Sequence, residues 1–287
     1  MSKIVFIAFI VSQLFSPKLS MDILRKPALN KCISWHIIGK TKHKRPIWML
    51  HIKGTSNKTI MVTSGIHGDE KYGVVAAVNL AVNLCSVQKK MQYSAVIIPV
   101  MNPDGYSGKY KYHRSNGCGR DINRDGFRWK TPAGRAFMYQ FLKWNPIRYV
   151  DLHMTGQVVL APRPWTRAYH PSRKFAKRLQ RLGIKGWVLR NGLPRRMLYS
   201  WASEQGVPSV LIEIGYRGDH VKYAKSLQRK RTTPVVRALI NLFTTKGLVK
   251  SPIASLRKGS TSYRLYNYEL SLRSKRPKFR RRPSRSR

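Results

Sequence analysis

The stretch Val62-Thr63-Ser64-Gly65-Ile66-His67-Gly68-Asp69-Glu70 constrains the fold of this chain more than any other. Residues 59–63 are apolar or β-branched and, with Ser64, read as a buried strand. Gly65 and Gly68 mark a tight turn after it, and residues 76–84 read as an apolar helix. A strand–turn–helix junction sets the side chains of its turn at the carboxyl end of a sheet, where open α/β sheets keep their sites. His67 and Glu70 lie three residues apart in that turn. An imidazole and a carboxylate at this spacing can converge on one cation. Zinc accepts such ligands at about 2.0–2.2 Å, and a catalytic zinc takes three protein ligands plus water. The pair by itself fits an ordinary hydrogen-bonded turn as well, so the meaning of the motif depends on a third ligand and a base elsewhere.

The 287 residues, 42% of them hydrophobic, suffice for one large domain with tails. The charge is lopsided: 56 Lys and Arg against 11 Asp and Glu, a net of +45. Such a field favours anionic surroundings such as nucleic acid, anionic lipid or an acidic wall polymer. A generally basic environment would select the same surface. Seven of the eleven acids (Asp69, Glu70, Asp104, Asp121, Asp125, Asp151 and Glu213) fall in the short motifs that carry the argument below. Cys32, Cys85 and Cys118 have no metal-type spacing; they allow at most one bridge and a free thiol, or three free thiols.

Residues 1–20 hold a short basic start and an apolar run over 4–15, which resembles a secretory signal but lacks a clean small-residue cleavage site. The expectation is export, to a secreted or periplasmic location; an uncleaved first element of a cytoplasmic protein is the alternative. Residues 33–38 and 47–52 read as strands joined by a basic turn, and residues 93–100 as a strand leading into Asn102-Pro103-Asp104-Gly105, a strong turn signal. A polar loop follows at 114–125. Residues 131–144 read as a helix with Pro132 in its first turn, and residues 147–152 as a strand ending at His153. Helices are expected at 172–182, 197–204 and 233–243, and a strand at 209–214 carrying Glu213. The expected catalytic domain is 21–248. Residues 249–287 form a basic tail, with nine Lys and Arg over 273–287 and the composition of a disordered segment that could contact an anionic polymer or only raise solubility.

Strand ends side by side complete a site. His153 supplies a third ligand to join His67 and Glu70, and Glu213 is left to act as a base on water acidified by the ion. Arg114 can stabilise the developing oxyanion, while Asn123 and Arg124 can bind a substrate carboxylate. Asp151, two residues before His153 on the same strand face, reads equally as a buttress of the site or as an ordinary buried acid.

The ordered set H-G-x-E (His67, Glu70), N-P-D-G (Asn102 to Gly105), R-x-N-x-x-G-x-D-x-N-R (Arg114 to Arg124), a strand-end His153 and a late strand-borne Glu213 resembles the zinc carboxypeptidase family over residues 30–245. The resemblance implies a single α/β domain with a mixed, twisted sheet of about eight strands between helices, a single zinc ion on His67, Glu70 and His153, and Glu213 as base and then acid. It implies a monomer acting on a peptide with a free carboxylate. Asp121 resembles a family acid beside the Asn-Arg pair and would orient a ligand. Within the family, the short spacing between N-P-D-G and N-R is most similar to the murein peptide amidases, which cut the γ-D-glutamyl–diaminopimelate amide of cell-wall peptides.

The chain also departs from the family. Residues 191–196 lack the mobile tyrosine of the digestive members; Tyr199 is the nearby candidate, either to bind substrate or to pack the pocket wall, and packing is the favoured reading. Asp125 stands where asparagine is usual. A zinc deacylase of the succinylglutamate desuccinylase and aspartoacylase kind shares the H-x-x-E start and late Glu but not the N-P-D-G turn. A basic polymer-binding protein on an inactive peptidase scaffold is the reading from a different class.

Overall fold

The fold is a twisted eight-stranded sheet with helices on both faces. A computed structural model describes residues 29, 31–107, 114, 118–154, 156–185, 187–189, 196–215 and 225–247. The N-terminal segment 1–20, the tail 249–287 and the loop 191–195 lie outside the described residues.

Strands β1 (Ile33–Lys40) and β2 (Pro46–Ile52) form an antiparallel pair at one edge. Next come β4 (Ser94–Ile98), β3 (Thr59–Ser64), β5 (Arg148–His153) and β8 (Ser209–Glu213), mutually parallel. Strands β6 (Val158–Leu160) and β7 (Trp187–Leu189) finish the order β1-β2-β4-β3-β5-β8-β6-β7, with β6 antiparallel to β8. The expected mixed sheet of about eight strands is what forms. The chain leaves β3 for β4 on one side and places β5 on the other. The crevice at the carboxyl ends of β3 and β5 is therefore a topological switch point, where such sheets bind ligands.

Every residue of β3 is buried, as a parallel strand covered on both faces requires. One face packs on α1 (Lys71–Ser86), α4 (Tyr169–Arg181) and α6 (Lys225–Thr244), through residues such as Val75, Leu80, Phe175, Leu239 and Phe243. The other packs on α3 (Pro132–Trp144) and α5 (Leu198–Glu204), where Phe137, Phe141, Tyr149 and Trp201 form one aromatic cluster. A four-residue helix, α2 (Pro103–Tyr106), caps the end of β4.

Local chemistry explains the boundaries. Thr131 caps α3 by accepting from Gly134 N at 2.9 Å, and Pro132 occupies the first turn, where its missing N–H costs nothing. Asn145 ends the helix in the left-handed region at φ 41°. The last helix begins eight residues before its expected start at 233. Its first two turns are polar and basic, and Pro234 lies inside the helix rather than at its head. Cys32 and Cys85 form a disulfide with Cα atoms 5.7 Å apart, which ties β1's entrance to the end of α1; Cys118 takes no part in it.

Candidate metal centre

The turn after β3 takes the shape its glycines allow. Gly65 has φ +60°, and a Cβ there would lie 2.9 Å from Val74 Cγ2. Gly68 lies against α2, where a Cβ would fall 2.0 Å from the carbonyl carbon of Gly105. Only glycine lets α2 come this close. The turn ends at Glu70, the N-cap residue of α1.

His67, Glu70 and His153 are all buried, and their ligand atoms lie within 4.8 Å of one another. Nδ1 of His67 is 2.6 Å from Glu70 Oε1, and Nδ1 of His153 is 2.6 Å from Oε2. Both rings thus turn the same nitrogen inward and present the other to a carboxylate. His67 Nε2 donates to Asp121 Oδ1 at 3.2 Å. His153 Nε2 lies 3.2 Å from Asp151 Oδ2, and Asp151 Oδ1 accepts from Thr63 Oγ1 at 2.8 Å, which is itself 2.6 Å from the Tyr149 hydroxyl. At His67 the carboxylate behind Nε2 favours the tautomer that leaves Nδ1 for a metal, while at His153 Asp151 stands close behind the ring as a charge.

The electrostatics favour positive charge. Burial alone would raise the pKa of Glu70, but the two imidazoles outweigh it and hold this carboxylate far below its usual range. Asp121 shows the same balance: burial works against its charge, and the bond from His67 brings its pKa down. Burial would lower both histidines; Asp121 and Glu70 raise His67 instead, and Asp151 and Glu70 raise His153 well above the ordinary value. Three carboxylates around two imidazoles, with two nitrogens and a carboxylate converging, make a donor set that fits zinc.

Glu213 ends β8 directly opposite His153 in the parallel register, so its side chain leaves the sheet on the same face. Arg114 reaches in from its loop, with Nη2 3.5 Å from His67 Nε2 and Nη1 3.8 Å from Glu70 Oε1, and remains 44% exposed. Arg124 is similarly open at 43%; its Nη1 donates to Asn123 O and lies 3.9 Å from Asp121 Oδ2. Asn123 is buried and engaged: Nδ2 is 3.3 Å from His153 Nε2, and Oδ1 accepts from Leu198 N at 3.2 Å. Tyr199 is fully buried on α5, where burial pushes its hydroxyl above the ordinary range.

The sequence did not single out Thr63 or Tyr149, whose alternation with Asp151 on neighbouring strands was the available signal. It also passed over Thr41, His43 and Arg45, which appear in sequence only as a basic turn. All three meet the buried carboxylate of Asp104.

Residues 25–134 match the zinc carboxypeptidase family. An inactive metallocarboxypeptidase of Saccharomyces cerevisiae is 25% identical over 190 residues, a match spanning 50% of this chain and 44% of that relative's length. A metallo-carboxypeptidase from Burkholderia cenocepacia has a similar fold, with 17% identity, a TM-score of 0.64 and coverage of 78% of this chain and 68% of its own. Bovine thrombin-activatable fibrinolysis inhibitor, at 16% identity and a TM-score of 0.60, covers 83% of this chain and 95% of its own. Residues 25–134 are thus similar to the zinc carboxypeptidase family, and the fold across most of the chain is similar to that of a solved metallo-carboxypeptidase.

Proposed function

We propose that this protein is an active zinc-dependent carboxypeptidase that hydrolyses an amide next to a free carboxylate, and that its substrate is a peptidoglycan peptide containing a γ-D-glutamyl–diaminopimelate bond. The observation that carries the reading is the convergence of two imidazole Nδ1 atoms on the Glu70 carboxylate, with Glu213 paired to His153 on the next strand. His67, Glu70 and His153 would hold a zinc ion, which would supply acidification of water and polarisation of a carbonyl. Glu213 takes a proton from the attacking water and returns it to the leaving amine. Arg114 stabilises charge on the attacked carbonyl oxygen, and Arg124 receives the free carboxylate in a forked pair of hydrogen bonds. Asn123, Asp121 and Asp151 orient the rings and the Arg124 segment. Tyr199 forms the wall behind them.

Two observations support a wall-peptide substrate and an exported protein. Among the described residues no Asp or Glu is exposed, so every exposed formal charge is positive, which suits an anionic polymer. The Cys32–Cys85 bridge belongs to an oxidising compartment. The experiment is release of diaminopimelate from a γ-D-glutamyl–diaminopimelate peptide by wild type and Glu213→Gln, each with zinc content measured. Release by wild type alone, with one zinc per chain in both, is expected. Zinc without release from this or any C-terminal peptide would favour a second reading, a polymer-binding protein on this scaffold. The Saccharomyces cerevisiae relative described as inactive makes that alternative concrete.

A further inference from the structure

We propose that the turn between β1 and β2 is a latch that positions the metal-holding loop, with Arg45 and His43 acting as positioning residues through Asp104. Asp104 takes no part in the chemistry above, yet it is a fully buried carboxylate. Its Oδ1 accepts from Thr41 Oγ1 and from Arg45 Nη1, both at 2.9 Å, and its Oδ2 lies 3.1 Å from His43 Nδ1. All three partners come from one turn about sixty residues upstream, closed on itself by Thr41 N to Arg45 O and Lys44 N to Thr41 O. A turn could be satisfied by water and a carboxylate could face solvent. Asp104 and Thr41 are buried while His43 and Arg45 stay partly open, so the turn clasps α2 from the surface through a carboxylate that has no access to solvent of its own.

What α2 touches gives the latch its consequence. Gly105, the residue after Asp104, lies with its carbonyl against Gly68, and Gly68 sits between His67 and Asp69. The approach is too close for any side chain, so a shift of α2 is transmitted to the loop as a direct backbone contact. Asn102 N donating to Gly65 O and Met101 N donating to Ser64 O join the same two segments from the other end. The path is therefore short: Arg45 and His43, Asp104, Gly105, Gly68, then His67 and Glu70. The turn closes from outside a cradle whose inner wall carries two of the three ligands.

The proposal rests on the metal reading, because it needs His67 and Glu70 to hold an ion. It is tested by titrating the full chain with zinc against a competing chelator, with cobalt absorption as a second readout of ligand geometry. Wild type is compared with Arg45→Met, Arg45→Lys and the double variant Cys32→Ser/Cys85→Ser. The double variant lowers stability at the far end of α1 without touching the latch. Arg45→Met, at a temperature where its circular dichroism is native, is expected to bind zinc at least about tenfold more weakly with an altered cobalt spectrum. Arg45→Lys should recover part of the loss, and the cysteine variant should stay within about twofold of wild type. If Arg45→Met does not fold, Thr41→Val, which removes the bond to Asp104 Oδ1 and the one from Arg45 N but no charge, carries the same comparison with a smaller loss. Wild-type affinity in the latch variants would overturn the proposal, as would a parallel loss in the cysteine variant, since affinity would then follow global stability. Failure of wild type itself to bind zinc would overturn the metal reading and the latch together, and is distinguishable from either of those results.

Discussion

Removing the Asp125 carboxylate is expected to cost about 3–5 kcal/mol of stability, because that one group organises the whole segment between Arg124 and α3. Asp125 is 4% exposed. Its Oδ1 accepts from Lys130 N at 2.8 Å, and its Oδ2 from Thr131 N at 2.8 Å and Thr131 Oγ1 at 2.7 Å. These bonds fold residues 126–130 back on themselves, with Phe127 and Trp129 held at φ 73° and 53°, where bulky side chains are strained. The loop brings the Trp129 ring edge-on to Trp201 at 4.7 Å. In Asp125→Ala, Thr131 N and Oγ1 lose their acceptor inside the core, at about 1–3 kcal/mol for each stranded donor. The Lys130 amide, on an exposed residue, can turn to water and adds less.

Asp125→Asn separates the bonds from the bulk. It keeps one acceptor oxygen, so its cost should be about 1–2 kcal/mol, well under that of alanine. The assay is urea unfolding followed by tryptophan fluorescence, to which Trp129 and Trp201 contribute two of seven indoles, with circular dichroism as the global probe. Equal losses in the asparagine and alanine variants, or an alanine variant within about 1 kcal/mol of wild type, would refute the account of Asp125 as the organising acceptor.

Gly134→Ala offers a test of sign: helix propensity alone favours alanine by about 1 kcal/mol, but its Cβ would fall 2.3 Å from Asp125 Oδ2, so lower stability in urea is expected and higher stability would contradict the packing. Opening the Cys32–Cys85 bridge, which spans 53 residues, should cost up to about 4 kcal/mol by loop-closure entropy; identical unfolding with and without reductant would remove the bridge from the stability argument. His51, packed at 4.6 Å on Trp144, has its pKa lowered by burial and then by His36 and Lys53. Its stabilising contribution is therefore complete above the unfolded value near 6.5 and is lost as pH falls through the depressed folded value. Unfolding at pH 5 and pH 7.5 should show a smaller pH loss in His51→Phe than in wild type, and an NMR titration placing His51 at or above the unfolded value would end this explanation.

The sequence made legible what obeys a local rule. The strand at residues 59–64 was readable because it is apolar on both faces, and α3 because Thr131, Pro132 and Asn145 punctuate it. The His67 and Glu70 pair was readable because glycines frame it, and His153 and Glu213 because each ends an apolar run. Strands β6 and β7, three residues each, are too short to show a period and exist only because β8 and each other offer an edge. The bridge between Cys32 and Cys85 was open for the same reason, since no spacing rule brings β1's entrance to the end of α1.

The roles of the acids mark the limit more sharply. Asp104, Asp121, Asp125 and Asp151 look alike in sequence, each a carboxylate near a turn or a strand end. In the fold they divide by what they accept. Asp121 and Asp151 stand behind the two imidazoles, Asp125 takes the donors of its own loop, and Asp104 takes those of a distant turn. That division depends on which donors the tertiary structure brings within 3 Å or so of each oxygen, and on the burial that makes an unmatched carboxylate costly. A chain this poor in acids spends none of the described ones on its exposed surface. Asp104, Asp121, Asp125 and Asp151 are therefore each tied to the site or to the frame around it, and their substitution should be felt in metal affinity or in stability rather than in solubility alone.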